Sequence, residues 1–449
     1  MENYVLLVFV IGYFLIAFES VTKVNKSGIA LLMSVVCWSL FMISGNKDGN
    51  VDVGHVFSEH VSETCETILF LMGAMTIVEV MDSNGGFNFI TNRLKTDNPK
   101  SLLWKTVVLT FVLSALLDNM TTCIVMIMVL KRLVADRKMR MLYAGIIVLS
   151  ANAGGAFSPI GDVTTIMLWI KGCVTSEGII KSLLLPSIVC TLVPVCVVSA
   201  RMHGKLSVPG EMNSTYMESD IGVERYDFMF ARGERITIFG VGVLGLMFVP
   251  VFRNLTNLPP FVGVMGALAV LWITTEIIIH RNKRLLKVED RVRVASIIKK
   301  IDMSTILFFL GILLAVGALQ ETGLLNYLGV WLNNTFENVY VVNSIIGVLS
   351  SVVDNVPLVA SAMGMYEIQP AASVGEMAAY CQDGIFWELL AYCAGTGGSL
   401  LIIGSAAGVV AMGLENISFG WYMKNFTVLA LIGYVSGIIT YWLQSYMLG

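Results

Sequence analysis

The sequence predicts an all-α polytopic membrane protein: an inverted-topology repeat of 5+5 transmembrane helices with two re-entrant hairpins and two broken helices. Three observations carry that prediction. The 449-residue chain is 56% hydrophobic and only 14% charged, whereas a soluble domain carries roughly 25% charged residues. Apolar runs long enough to cross ~30 Å of hydrocarbon recur along its length, and the short alternating segments of a β-barrel are missing. Second, one unusual phrase is written twice: Ser114-Ala115-Leu116-Leu117-Asp118-Asn119 and Ser350-Ser351-Val352-Val353-Asp354-Asn355. A carboxylate in the middle of an apolar stretch is costly and marks an ion or substrate pathway. Two matching copies place that pathway at the interface of an internal repeat. Third, the basic residues change sides between the copies.

Ten spans follow from hydropathy, at about 4–18, 27–44, 67–82, 141–170, 181–200, 236–252, 260–280, 303–320, 386–412 and 424–446. The first is apolar from Tyr4, with no basic segment or cleavage site, and reads as a membrane helix rather than a leader. Loop 45–66 has Lys47 against Asp48, Asp52, Glu59, Glu63 and Glu66 and reads as external. The apolar region 102–134 is flanked by Arg93, Lys95, Lys100 and Lys105 and by Lys131, Arg132, Arg137, Lys138 and Arg140. Both flanks are therefore cytoplasmic, and the segment is a hairpin that leaves and returns on one side. Region 338–366 is the reverse. No Lys or Arg occurs between Ile301 and Met423, while Glu321, Glu337, Glu367, Glu376 and Asp383 flank it, so this hairpin enters from outside.

Spans 141–170 and 386–412 are too long and too glycine-rich for simple helices, and read as broken. Segment 201–235, with Arg201, Lys205, Arg225, Arg232 and Arg235, reads as a cytoplasmic linker, and 281–300, with eight Lys or Arg, is cytoplasmic too. The first repeat is then 1–200, the second 236–449, and both termini are outside. Matched blocks support the division. Thr67-Ile68-Leu69-Phe70-Leu71-Met72-Gly73 pairs with Thr305-Ile306-Leu307-Phe308-Phe309-Leu310-Gly311, Asn152–Ala156 with Gly395–Ser399, and Gly161-Asp162 with Gly404-Ser405.

The eight cysteines form no C-x-x-C pair, and the four histidines fall in loops or at helix ends without zinc-type spacing. Cys123, Cys190, Cys196 and Cys393 read as buried small residues. No cofactor, enzyme activity or nucleic-acid partner is expected.

Four constellations can carry chemistry. Asp118-Asn119-Met120-Thr121-Thr122 sits at the first hairpin turn, where unpaired backbone must be buried in protein or line a cavity. Its oxygens suit a hard cation such as Na⁺ or Li⁺. Asn152-Ala153-Gly154-Gly155-Ala156-Phe157-Ser158-Pro159-Ile160-Gly161-Asp162-Val163-Thr164-Thr165 breaks a helix near its midpoint, exposing carbonyls and helix ends beside Asp162, Thr164 and Thr165. Close packing would explain its glycines but not Asp162. Asp354-Asn355-Val356-Pro357 with Ser350 and Ser351, and Gly395 to Ser399 with Gly404-Ser405, hold hydroxyls but one acid. The halves are chemically unequal, and Na⁺ is expected at Asp118, Asp162, Asn152 and Thr164, with Asp118 the stronger candidate and Asp354 its support. Glu79, Asp82, Glu19, Glu276 and Glu388, near span ends, are weaker candidates, and most of them are expected to reach the membrane interface.

The phrases around Asp118-Asn119 and Asn152 to Thr165 resemble the NhaD-type Na⁺/H⁺ antiporters of the ion transporter superfamily, over nearly the whole chain. The resemblance implies a scaffold domain, a transport domain of two opposed hairpins and two broken helices, a homodimer, and elevator-like alternating access in a bacterial inner membrane. Carried over by position, it points to Asp118, Asn119, Asn152, Asp162, Thr164, Thr165, Asp354 and Asn355, with Thr121, Thr122, Ser350, Ser351 and Ser399 in support. Transport of Na⁺ and Li⁺ against H⁺ is what it implies. Arsenite exporters of the same superfamily follow Gly-Asp with Pro-Pro-Asn, where this chain has Asp162-Val163-Thr164-Thr165. A carboxylate substrate would meet like charge at Asp118 and Asp354, and no Lys or Arg is expected near either tip to bind one. Arsenite or small-anion transport is the rival reading. An intramembrane hydrolase is the remote one, lacking any H-E-x-x-H motif.

Overall fold

A computed structural model describes residues 2–17, 24–45, 53–86, 94, 96–202, 231–281, 294–336, 338–352 and 354–448. Most of the linker expected at 201–235, the basic stretch 282–293, Glu19 and residues 46–52 lie outside the described residues. The described chain is helical, with one isolated bridge between Gln369 and Cys381. Its helices are α1 (Glu2–Ala17), α2 (Lys26–Gly45), α3 (Val53–Ser83), α4 (Pro99–Leu116), α5 (Asn119–Leu133), α6 (Arg137–Ala156), α7 (Val163–Lys171), α8 (Ser176–Arg201) and α9 (Arg232–Thr256). There follow α10 (Pro260–Arg281), α11 (Met303–Glu321), α12 (Leu324–Phe336), α13 (Val339–Leu349), α14 (Asn355–Met365), α15 (Ile385–Gly397), α16 (Ala406–Glu415) and α17 (Val428–Leu448). A short turn, Phe419–Tyr422, and a π-helical turn, Met423–Thr427, lead into α17.

Eight of these segments are long and apolar enough to cross a membrane: 26–43, 54–83, 99–116, 176–201, 232–256, 260–281, 303–321 and 419–447. The chain is an integral membrane protein with many helices. One expectation on span limits and one on burial need correction. The span expected at 67–82 is the second half of a 31-residue helix, α3, that begins at Val53. Glu59, Glu63 and Glu66 thus lie on a helix, not in a loop; their charge lowered the local hydropathy without breaking the helix. The span expected at 4–18 is the helix α1, Glu2–Ala17. Cys196 faces outward, while Cys123, Cys190 and Cys393 are buried as expected.

Elsewhere the breaks fall where turn chemistry requires them. α4 ends at Leu116 and α5 begins at Asn119, with Asp118 capping α5; α13 ends at Leu349 and α14 begins at Asn355, capped by Asp354. The long segments 141–170 and 386–412 are each two helices, α6 with α7 and α15 with α16. Asp162 caps α7 and Ser405 caps α16. Each side chain accepts from a backbone N–H that would otherwise be orphaned in an apolar interior.

Around this centre α2 packs beside α11. Ser27 Oγ donates to Ser304 O at 2.6 Å, and Trp38 Nε1 to Leu314 O at 2.7 Å, so the two helices run in the same direction. α10 packs against both α3 and α9, and α8 packs along α17. The core that positions the site is α6 and α15, whose residues 143–156 and 386–397 are buried throughout.

Candidate cation site

Each first hairpin arm is fastened to a broken helix through a serine. Ser114 Oγ donates to Ala151 O at 2.5 Å, and Ser350 Oγ to Ala394 O at 2.8 Å. Glycine then lets the hairpin tip touch the break. A Cβ on Gly161 would meet Ser114 O at 2.7 Å, and one on Gly404 would meet Ser351 O at 2.5 Å. Both distances are too short for any larger residue. The two tips are therefore held directly against the two breaks.

Asp162 lies at the centre and is 1% exposed. Its Oδ1 accepts from Thr164 N and from Thr164 Oγ1, both at 3.0 Å. Its Oδ2 accepts from Asn119 Nδ2 at 2.6 Å, and Asn355 Nδ2 lies 3.4 Å from both oxygens. The first residue of α5 and the first residue of α14 thus reach one carboxylate. Asn119 Nδ2 also donates to Asn152 Oδ1 at 3.1 Å. Asn152 Nδ2 in turn donates to Ser399 Oγ at 2.8 Å and Ser405 Oγ at 2.9 Å. Asn119, Asn152, Asp162, Thr164, Asn355, Ser399 and Ser405 form one buried network, and buried polar groups persist in an apolar interior only when satisfied in this way.

The other expected residues surround that network rather than join it. Asp118 Oδ1 accepts from Thr121 N at 2.7 Å, within its own helix start. Asp118 and Asp354 both lie within electrostatic range of Asp162. Thr165 Oγ1 donates back to Asp162 O at 2.8 Å, and Ser351 Oγ to Val348 O at 2.7 Å. The Thr122 hydroxyl is buried and makes no hydrogen bond in this structure. Ser405, a hydroxyl of the fourth constellation that the family pattern did not carry over, joins the network directly: it occupies the place of Asp162 in the matched pair Gly161-Asp162 and Gly404-Ser405.

Two expectations about charge are corrected here. Lys26, remote in sequence, brings a cation to the second tip, with Nζ 3.1 Å from Asp354 Oδ2. Glu388 does not reach an interface. It is 7% exposed, accepting from Ser182 Oγ at 2.5 Å and Tyr441 OH at 2.7 Å, because its position one turn into α15 faces α8 and α17.

The helix starts of α5, α7, α14 and α16 meet around this network. Their partial positive ends point at the capping oxygens. A buried anion flanked by amide and hydroxyl oxygens can hold a desolvated hard cation or a proton.

Comparison with known proteins agrees with this chemistry. The family model described as "Citrate transporter" (CitMHS) matches residues 5–381. Sodium/proton antiporter 1 of Arabidopsis thaliana is 42% identical over 97% of this chain and 71% of its own length. Sodium/proton antiporter 2 of the same plant is 40% identical, over 97% and 98%. The Na⁺/H⁺ antiporter NhaD of Vibrio cholerae is 31% identical, over 98% and 91%. Family and relatives alike are transporters, not enzymes. The chain belongs to the citrate-transporter (CitMHS) family and, within the ion transporter superfamily, to the NhaD-type antiporters.

Proposed function

We propose that the protein exchanges cytoplasmic Na⁺, and also Li⁺, for external H⁺ across the membrane. The observation that carries this reading is the Asp162 carboxylate, buried between Asn119, Asn355 and Thr164. Na⁺ and H⁺ are alternative ways to neutralise it, so they compete for one place. A proton leaves the present hydrogen bonds intact. With Na⁺, the Asn119 and Asn355 amides turn about Cβ–Cγ and offer Oδ1 instead of Nδ2; Asn152 turns with Asn119, and the Ser399 and Ser405 hydroxyls then donate to its oxygen. Thr164 and carbonyls at the α6–α7 break supply further oxygens. Asp118 shares the proton traffic with Asp162, and Asp354 completes the second tip.

The matched placement of Ser114 with Ser350, of Gly161 with Gly404, and of the two capped hairpin turns supports two repeats of opposite orientation, 1–200 and 236–449. The basic flanks of 102–134 and the acidic flanks of 338–366 support opposite entry of the hairpins. In this reading α4 to α8 and α13 to α17 move as a transport unit against α2, α3, α9, α10 and α11, an elevator-like motion in a homodimer.

Small-anion transport is the second reading. Four helix starts converge on the site, and such ends bind anions; the matching family is also described by citrate. Asp118, Asp162 and Asp354 oppose it, because an anion would enter among three acids. Na⁺-induced collapse of ΔpH in everted vesicles decides between them. Wild type is expected to show it, and Asp162→Ala and Asp118→Ala are expected to lose it. Uptake of citrate or arsenite without any Na⁺ response would favour the second reading, and unimpaired exchange in either variant would remove that acid from the site.

A further inference from the structure

One interface in the molecule is pressed shut at one end and parted at the other. Its two sides are α2, α3 and α11, and α7 with α14. At the first end Lys26, the first residue of α2, bonds Asp354 Oδ2 at 3.1 Å, and its ammonium lies 4.4 Å from the ring centre of buried Phe308 on α11. Ser27 is fixed to Ser304 at the same level, so the ammonium projects from a braced helix start. At the other end, two turns along α14 from Asn355, a cavity of about 380 Å³ opens among α3, α7, α11 and α14. Glu63, Thr67 and Gln320 line it from α3 and α11, and Ile170, Lys171 and Met363 from α7 and α14. Lys171 Nζ reaches Glu63 Oε1 across its mouth at 2.6 Å, with the two side chains 39% and 57% exposed. The Lys26 and Asp354 side chains are only 31% and 19% exposed. Solvent therefore weakens the Lys171–Glu63 pair more than the Lys26–Asp354 pair.

We propose that Lys26 is a positioning residue for the exchange: a tethered cation that bolts the second hairpin tip to α2 and α11 and so holds the molecule open at its Lys171 end. The pair has to part before the tip can leave these helices and the cavity can close. Only its part in transport rests on the antiporter reading; the bolt itself is a statement about which end is open.

The test uses the full chain carrying Met363→Cys, with the exposed or half-exposed Cys65, Cys196 and Cys381 replaced by Ala. Modification by a membrane-impermeant maleimide then reports the open cavity. Lys26→Ala and Asp354→Asn each remove the bolt, and labelling is expected to slow at least about two-fold as the population shifts to the closed cavity. Lys26→Arg is expected to keep the parental rate. The swapped pair Lys26→Asp with Asp354→Lys is expected to regain it, whether or not that variant transports. Monodispersity in detergent identifies any variant that fails to fold, and the two single substitutions are independent routes to the same result. Unchanged labelling in folded Lys26→Ala or Asp354→Asn overturns the bolt, as does Lys26→Arg behaving like Lys26→Ala. Slowed labelling in a protein that shows no Na⁺-dependent ΔpH response would leave the bolt standing and remove the antiporter reading.

Discussion

Asn119 and Asn355 reach the same carboxylate from different helix starts, but not equally. Asn119 Nδ2 lies 2.6 Å from Asp162 Oδ2 and also holds Asn152, whereas Asn355 Nδ2 stays at 3.4 Å. In the loaded state the same side chains turn an amide oxygen to Na⁺, a contact with a charged group comparable to a hydrogen bond of about 1.5–3 kcal/mol, or roughly 10–100-fold in an equilibrium. Asn119→Ala removes the nearer of these oxygens and is therefore expected to raise the apparent KM for Na⁺ by about ten-fold, and Asn355→Ala by less. The order is read from Na⁺ titrations of vesicle exchange, and the reverse order would show that the second tip, not the first, grips the ion. Asp-Asn was legible in the sequence because an acid in an apolar run breaks the rule its neighbours obey. Ser405 was legible only through its alignment with Asp162 in the matched repeat, and Lys26 breaks no rule at all. Lys26 sits at a helix start where a lysine needs no explanation; its partner is 328 residues away. Contacts of that range belong to the folded chain alone.

Among the elements, the two broken helices depend on close approach of backbone to backbone. Adding Cβ at Gly404 puts it 2.5 Å from Ser351 O and 2.6 Å from Ser351 Cα, neither of which can swing aside as a side chain would. Overpacking of this kind costs about 1–3 kcal/mol. Gly404→Ala is expected to lower the thermal midpoint of the purified protein by several degrees and to slow exchange. Gly413→Ala, with nothing within 4 Å of its added Cβ, is the control and is expected to change neither. Equal midpoints for the two variants would mean that the tip relaxes freely. Glu388 makes a different link, joining α15 to α8 through Ser182 and to α17 through Tyr441. Glu388→Ala leaves the buried Tyr441 hydroxyl without its acceptor, at about 1–3 kcal/mol, while Ser182 Oγ keeps Gly178 O at 2.8 Å. A fall in thermal midpoint larger than that of Glu388→Gln is expected, since the amide keeps one acceptor oxygen. The breaks and hairpin turns were legible because Gly, Pro and Asp-Asn cannot continue an apolar helix. The length of α3 was not: Glu59, Glu63 and Glu66 mimic a loop by hydropathy while keeping helical backbone.

For the whole molecule, exchange through one buried carboxylate sets a pattern that a two-pathway carrier would not show. If Na⁺ and H⁺ exclude each other at Asp162, raising the proton concentration on the loading side has one sign. A proton bound there blocks Na⁺, so apparent KM for Na⁺ rises as pH falls, approaching about ten-fold per pH unit once the protonated form dominates. Saturating Na⁺ recovers the same maximal rate, because the loaded unit is identical at every pH. On the opposite face the sign reverses: protons displace Na⁺ and complete the cycle, so mild acidification there speeds exchange at fixed loading-side pH. Na⁺ titrations at a series of pH values, with the two faces buffered separately, read both effects. A maximal rate that falls with pH while KM stays fixed would place H⁺ and Na⁺ on separate groups, and Asp118 would then be the proton's carrier beside Asp162. That outcome would divide the roles of the two acids of the first repeat while leaving intact the network that joins Asp162 to both hairpin tips.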